Sequence, residues 1–334
     1  MAKGATNALI LQGQGTANNN FVNFDRLNVA ASGSWTLGGD STFGDATISK
    51  GMMSVTGALT STTLEIAANA ELNDGGAVTV TGALTNRGNL TINGVTMNVV
   101  GAGGTFTQVA GGTTILLNGG VLDPANIVIE RGVFGGSGSM VGDVSVTGGT
   151  VKAGGGPGGS LTFLGAYSQT GGEIVFDIDP NGVGGFLETT LNFDPNLPIG
   201  VSDTTLVFDF LNGANAQQFI ADGLLNLDTF FGTIGGGQFC TEVNCGTAFQ
   251  EISFSDNVPG LTIMGFDPAT GAIDPTTGAV PEPGTWALMM TGIFGLAGLE
   301  LRRRMRGRSD DTNALICYRS LREWKEISAP SPDS

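Results

Sequence analysis

Asp177, Asp179 and Asn181 put three oxygen donors at alternate positions, with Gly182 next and Glu188 closing the run. This order matches a calcium loop, in which hard oxygens surround the ion and a glycine makes the sharp turn. A strand-like pattern precedes the run and more glycine follows it. Calcium here therefore implies a strand-flanked loop rather than an EF-hand, and the plain alternative is an Asp-rich turn. Cys240 and Cys245 stand in a Gly-rich loop, FCTEVNCG. Two thiols make a poor zinc site, which usually needs four ligands. In an oxidising compartment they suit a small local disulfide, and otherwise they are two unpaired loop thiols.

Other chemistry is narrowed by what the chain lacks. It has 334 residues and no histidine, which excludes Ser-His-Asp and Cys-His catalysis and His-ligated zinc. With 30 acidic against 14 basic side chains, nucleic acid is excluded as a partner, because a phosphate-binding face needs clustered Lys and Arg. Paired carboxylates for glycoside hydrolysis exist as Asp40 with Asp45 and as Asp177 with Asp179. Basic groups for a lyase reduce to Lys3, Arg26, Lys50, Arg87, Arg131 and Lys152 before residue 281, and none of these cluster in sequence.

The elements that must carry these residues read as β. Glycine is abundant at 56 residues, without a Gly-X-Y period, and charged residues are only 13%. Val55-Thr56-Gly57-Ala58-Leu59-Thr60 returns as Val80-Thr81-Gly82-Ala83-Leu84-Thr85. Leu64-Glu65-Ile66 is echoed by Leu90-Thr91-Ile92 and then by Ile115-Leu116-Leu117, and Phe106-Thr107-Gln108 resembles Tyr167-Ser168-Gln169. A period of 20–25 residues, with short β-branched runs and Gly or Asn corners, predicts a solenoid. Strands this short cannot bury a face alone, and stacked coils pair them and build an inner apolar column. The expected fold is all-β: a parallel β-helix over 1–165 and an antiparallel β cap over 166–265, with a short helix at Asn212–Asp222. A β-sandwich is the alternative. The segment Gly132–Gly172 resembles the terminal coils of bacterial passenger β-helices of the autotransporter and filamentous-adhesin type. It holds a Gly-Ser-Gly coil, a Pro157-centred glycine turn before Leu161-Thr162, and the Tyr167-Ser168-Gln169 strand with Gly171-Gly172.

After residue 265 the pattern changes. Asp267–Ile273 and Asp274–Val280 duplicate a turn-forming unit and read as a spacer, so 266–283 is a linker that ends in Pro281-Glu282-Pro283. Residues 284–301 are almost uncharged and about 27 Å long as a helix, close to a bilayer core of roughly 30 Å. Arg302, Arg303, Arg304, Arg306 and Arg308 follow directly as a membrane stop. Positive charge marks the cytoplasmic side, so 302–334 is expected in the cytoplasm and 1–280 outside the inner membrane.

Val280-Pro281-Glu282-Pro283, one apolar span and an Arg-rich stop, in this order, resemble the PEP-CTERM sorting signal. The resemblance implies recognition by an exosortase, a membrane transpeptidase-like enzyme, near the Pro-Glu-Pro. It implies an inner-membrane-anchored precursor and delivery to the cell surface, outer envelope or extracellular matrix, commonly alongside exopolysaccharide. Pro281, Glu282 and Pro283 are then a recognition site. The prolines keep the segment extended and out of the helix. Two expectations accompany this. The first residues, MAKGATNALILQGQG, do not read as a secretory leader, so an upstream start is expected. The tail 309–334 is either a short amphipathic helix or read-through. The leading function is a non-enzymatic surface or matrix protein with no cofactor other than the calcium just weighed. The second is a β-helix carbohydrate-active enzyme, a lyase or hydrolase. A self-secreting adhesin is excluded, because the chain ends in an apolar span rather than a barrel of alternating strands.

Overall fold

The computed structural model describes residues 6–101, 103–154, 158–180, 185–194 and 196–212, and beyond them the strands Phe231–Thr233, Phe249–Phe254, Phe266–Asp267 and Ala272–Ile273. The described chain is all-β, a right-through stack of parallel strands with about 8 turns. Among the described residues no helix is long and apolar enough to cross a membrane. The span read at 284–301, the Arg cluster, the tail, Cys240, Cys245, Asn181 and most of the Asn212–Asp222 segment lie outside the described residues. Two compact units divide at Gly278, and the solenoid belongs to the first.

Each turn of the solenoid has three faces. Face A stacks Arg26 on Ala8, Asp45 on Arg26, Thr63 on Asp45 and Ala83 on Thr63. Face B stacks Met52 on Ser34, Glu71 on Met52 and Asn89 on Glu71. Face C stacks Ala58 on Asp40 and Ala77 on Ala58. Long strands such as Asp40–Val55 bend through a corner and serve two or three faces in succession. Alternation decides which side chains enter. Leu27, Val29, Ile48 and Leu64 point inward from face A, Met53 and Leu72 from face B, and Leu59 and Val80 from face C, all essentially fully buried. Burial of each such side chain contributes roughly 1.5–3 kcal/mol, realised only once the neighbouring turn covers it.

The sequence echoes map onto this stack in an unexpected way. Val55 pairs with Asp74 and Ala58 with Ala77, not with Val80 and Ala83. Val55-Thr56-Gly57-Ala58 is the corner from face B into face C, and Val80-Thr81-Gly82-Ala83 is the corner from face C into face A. The repeated hexapeptide is thus a corner unit, displaced by one turn plus one face. Likewise Leu64 lies on face A and Leu90 on face B. Ile115 stacks on Thr91, so it points outward while Leu116 is buried. The Phe106–Gln108 echo does hold its register. Phe106, Ile127, Val144 and Tyr167 form one inward column of face A.

The antiparallel cap expected from 166 onward is corrected. Parallel stacking continues: Ile199 sits on Tyr167, Thr205 on Glu173, Thr190 on Ser160, Phe231 on Leu191 and Glu251 on Thr205. Inward Ile174, Phe176 and Ile178 need a further turn over them, and Leu206, Phe208 and Phe210 supply it. Phe163 and Phe193 stack at 5.1 Å in the same region, with Tyr167 edge-on to both. Excursions between the faces stretch these turns to 30 residues and more, which hides the period. Antiparallel pairing among the described residues is confined to two hairpins, Glu173–Pro180 with Phe186–Glu188 and Phe266–Asp267 with Ala272–Ile273, and one isolated bridge between Gly136 and Gly154.

Polar side chains that face inward are mostly satisfied at corners. Asn86 donates through Nδ2 to Thr113 O and Thr114 Oγ1, both at 2.9 Å. Thr114 donates to Gln108 Oε1 at 2.7 Å, and Gln108 Nε2 donates to Arg131 O. Tyr167 Oη donates to Gln169, whose Nε2 donates to Gly171 O at 2.9 Å. Burial holds the Tyr167 phenol far above its ordinary range, so it stays a donor.

Candidate functional site

Asp177 and Asp179 project from the outer side of face B on the strand Glu173–Pro180, alternating with the core residues Phe176 and Ile178. The strand Phe186–Glu188 folds back on the same edge and sets Glu188 opposite Ile178. Residues directly opposite in an antiparallel pair share a side of the sheet. Glu188 therefore falls on the side of Ile178, across the sheet from Asp177 and Asp179. Asn181 and the turn 181–184 lie outside the described residues, and among the described residues no group of three or more His, Cys, Asp or Glu is placed to hold a metal ion.

The two aspartates are occupied otherwise. Lys152 reaches Asp177 Oδ1 at 2.8 Å and Asp209 Oδ2 at 3.6 Å. Asn212 Nδ2 donates to Asp179 Oδ2 at 2.7 Å. Thr189 Oγ1 accepts from Asp177 N at 2.9 Å and helps cover it. Burial pushes the Asp177 carboxyl up, and the hydrogen bond and charge of Lys152 oppose that shift. The cluster assembles because Asp209 stacks directly on Asp177, while Lys152 stands on Val175 one turn earlier. In the sequence Lys152 stands alone, with no charged neighbour. Its partners lie 25 and 57 residues away, and only the register of face B brings them together.

The other carboxylate pair separates. Asp40 opens face C and Asp45 lies on face A. Asp45 approaches Arg26 Nε at 4.0 Å and accepts a hydrogen bond from Thr63 at 2.8 Å. Arg87 pairs with Glu65 at 3.4 Å. All four charges sit at or beside the outer side of face A.

That outer side is hollowed twice. One groove, of about 660 Å3, is lined by Arg26, Asn28, Asp45, Thr47, Thr63 and Thr85, among others. A second, more apolar and of about 470 Å3, lies farther along the same face over Asn126, Ser145 and Ser168 together with Val128, Pro198 and Ile199. Composition gave the hydroxyl and amide content of the outer surface but not the face that concentrates it in a concavity. The three-face register was needed for that.

Pro281, Glu282, Pro283 and the arginines at 302, 303, 304, 306 and 308 lie beyond the described residues, so their evidence is the pattern of the sequence. No curated protein and no solved structure matches the chain. Residues 279–304 match the PEP-CTERM protein-sorting motif. The match opens just before the Pro-Glu-Pro, spans the apolar stretch and ends inside the arginine cluster. The chain therefore carries a PEP-CTERM sorting signal after a three-faced parallel β-solenoid, and this signal implies an exported protein, recognised by an exosortase and anchored at the membrane before sorting.

Proposed function

We propose that this chain is a non-enzymatic surface protein whose solenoid is delivered to the outer envelope or to an exopolysaccharide matrix once an exosortase has acted at Pro281-Glu282-Pro283. The observation that carries this reading is the motif over 279–304. The division of labour supports it. A rigid stack of short coils serves as a stalk, and a turn-rich spacer links it to a signal read in the membrane. Against the second function, a lyase or hydrolase, stand the ties on the candidate acids. Asp177 and Asp179 are nearly buried and held by Lys152 and Asn212, so this pair is not open to a substrate in the way glycoside hydrolysis requires.

The test is replacement of Pro281, Glu282 and Pro283 by alanine in the source cells, followed by fractionation. The wild-type chain is expected outside the inner membrane and the variant in it. An identical distribution of the two would refute the reading.

A further inference from the structure

The outer side of face A presents two ladders of side chains that run along the solenoid axis. One is Asp45, Thr63, Ala83, Thr105 and Asn126. The other is Thr47, Glu65, Thr85, Thr107 and Val128. Rungs repeat at the interstrand spacing of about 4.8 Å. Both hollows lie over these ladders or their continuation, in line with each other, and Thr105 and Thr107 bridge the gap between them. Mostly short hydroxyl, amide and methyl groups thus recur at one interval along a strip that is hollowed at two places.

Charge narrows what the strip can take. Its arginines are engaged, Arg26 beside Asp45 and Arg87 with Glu65, and the whole chain carries a net charge of −16. An anionic polymer would meet an acidic chain whose arginines along this face already answer carboxylates. A strand or helix of protein would need a run of large apolar anchors, whereas the ladders are mostly threonine and alanine and the larger apolar groups, such as Ile10, Val128 and Ile199, stand singly along the hollows. A linear polymer bearing uncharged hydroxyls at regular intervals meets a donor or acceptor at nearly every rung.

We infer that face A is a binding strip for an uncharged, hydroxyl-rich polysaccharide lying along the solenoid axis. This deepens the reading of a matrix-delivered surface protein and rests on it. The experiment is affinity electrophoresis of the full chain in detergent, with dextran and methylcellulose as uncharged probes and alginate as the anionic one. Three proteins are compared: the wild type, Thr85→Arg/Thr107→Arg on face A, and Thr60→Arg/Thr79→Arg on the outer side of face C. All must share one β-type circular dichroism spectrum. Retention by an uncharged probe is expected for the wild type and the face C variant, and about tenfold weaker retention for the face A variant. Equal retention of all three would overturn face A while leaving polymer association standing. Retention by alginate alone would overturn the uncharged class. Retention by no probe would overturn both the strip and the matrix association, and leave the sorting signal to be judged by its own processing.

Discussion

Asp74 points into the apolar interior, with Val55 on the turn before it and Ile92 on the turn after. One carboxylate oxygen accepts from Gly76 N at 3.2 Å, and the other, Oδ2, has no partner. Burial pushes the carboxyl up from 3.8 to about 6, and the Gly76 hydrogen bond only partly offsets that. The fully buried carboxylates among the described residues number few, and the others, Asp177 and Asp179, lie on the outer side of face B, so no charged side chain within the coil answers Asp74. The sign follows from linkage. Between pH 6 and 4 the folded chain holds a proton here that the unfolded chain has released. Stability therefore rises as pH falls through that window and is lost as pH climbs back through about 6, by about 3 kcal/mol at full extent. Asp74→Asn keeps the acceptor for Gly76 and removes the charge. Urea midpoints at pH 7.5 are expected to be higher for the variant than for the wild type, and to converge near pH 4. Parallel pH profiles for the two would show that Asp74 is not the source.

At the scale of the element, the corners are as constrained as the strands. Gly132, Gly149 and Gly172 stack on successive turns where face A passes into face B, each with φ near +80°. Thr150 N donates to Gly132 O at 2.7 Å and Glu173 N to Gly149 O at 2.8 Å, so the backbones are in direct contact. A Cβ at Gly149 would stand 2.6 Å from Gly132 O, in a region of φ that costs an L-residue about 1–2 kcal/mol even without a clash. Gly149→Ala is expected to lower stability by about 2 kcal/mol or more, read by chemical denaturation, whereas Gly200→Ala, with open space around its Cβ position, leaves it unchanged. Equal effects at the two positions would contradict the account of the corners.

These corners also explain what the sequence could tell. The solenoid was legible because every face alternates apolar and polar residues and glycine marks each bend. The length of the turn was not, because the loudest repeat, at Val55 and Val80, joins different faces. The true interval is written more quietly in Gly38, Gly57 and Gly76, which fall 19 residues apart and stack at the corner from face B into face C. The continuation past residue 165 was obscured by long excursions, and the alternation of Glu173–Pro180 and Thr204–Phe210 fits a parallel or an antiparallel partner equally well. Among the candidate site residues, Asp177 and Asp179 were legible as neighbours. Their ion pair and hydrogen bond were not, since Lys152, Asp209 and Asn212 meet them only through register. Glu188 matched a loop by spacing alone, and one hairpin placed it on the opposite side of the sheet.

For the whole molecule, the order of parts along the chain is the functional statement. The solenoid gives an exterior of short polar side chains, and the chain before position 281 is strongly acidic, with 6 basic against 23 acidic residues. The motif over 279–304 then supplies an address rather than a catalyst. The proposed exosortase step would leave a processed carboxyl terminus. The most direct measurement is mass spectrometry of the C-terminal peptide of the protein recovered from its source cells. The account predicts a terminus close to Pro281–Gly284, with the apolar span and the arginines removed. A protein that still ends at Ser334 in the inner membrane would contradict it, and the signal would then act as a permanent anchor.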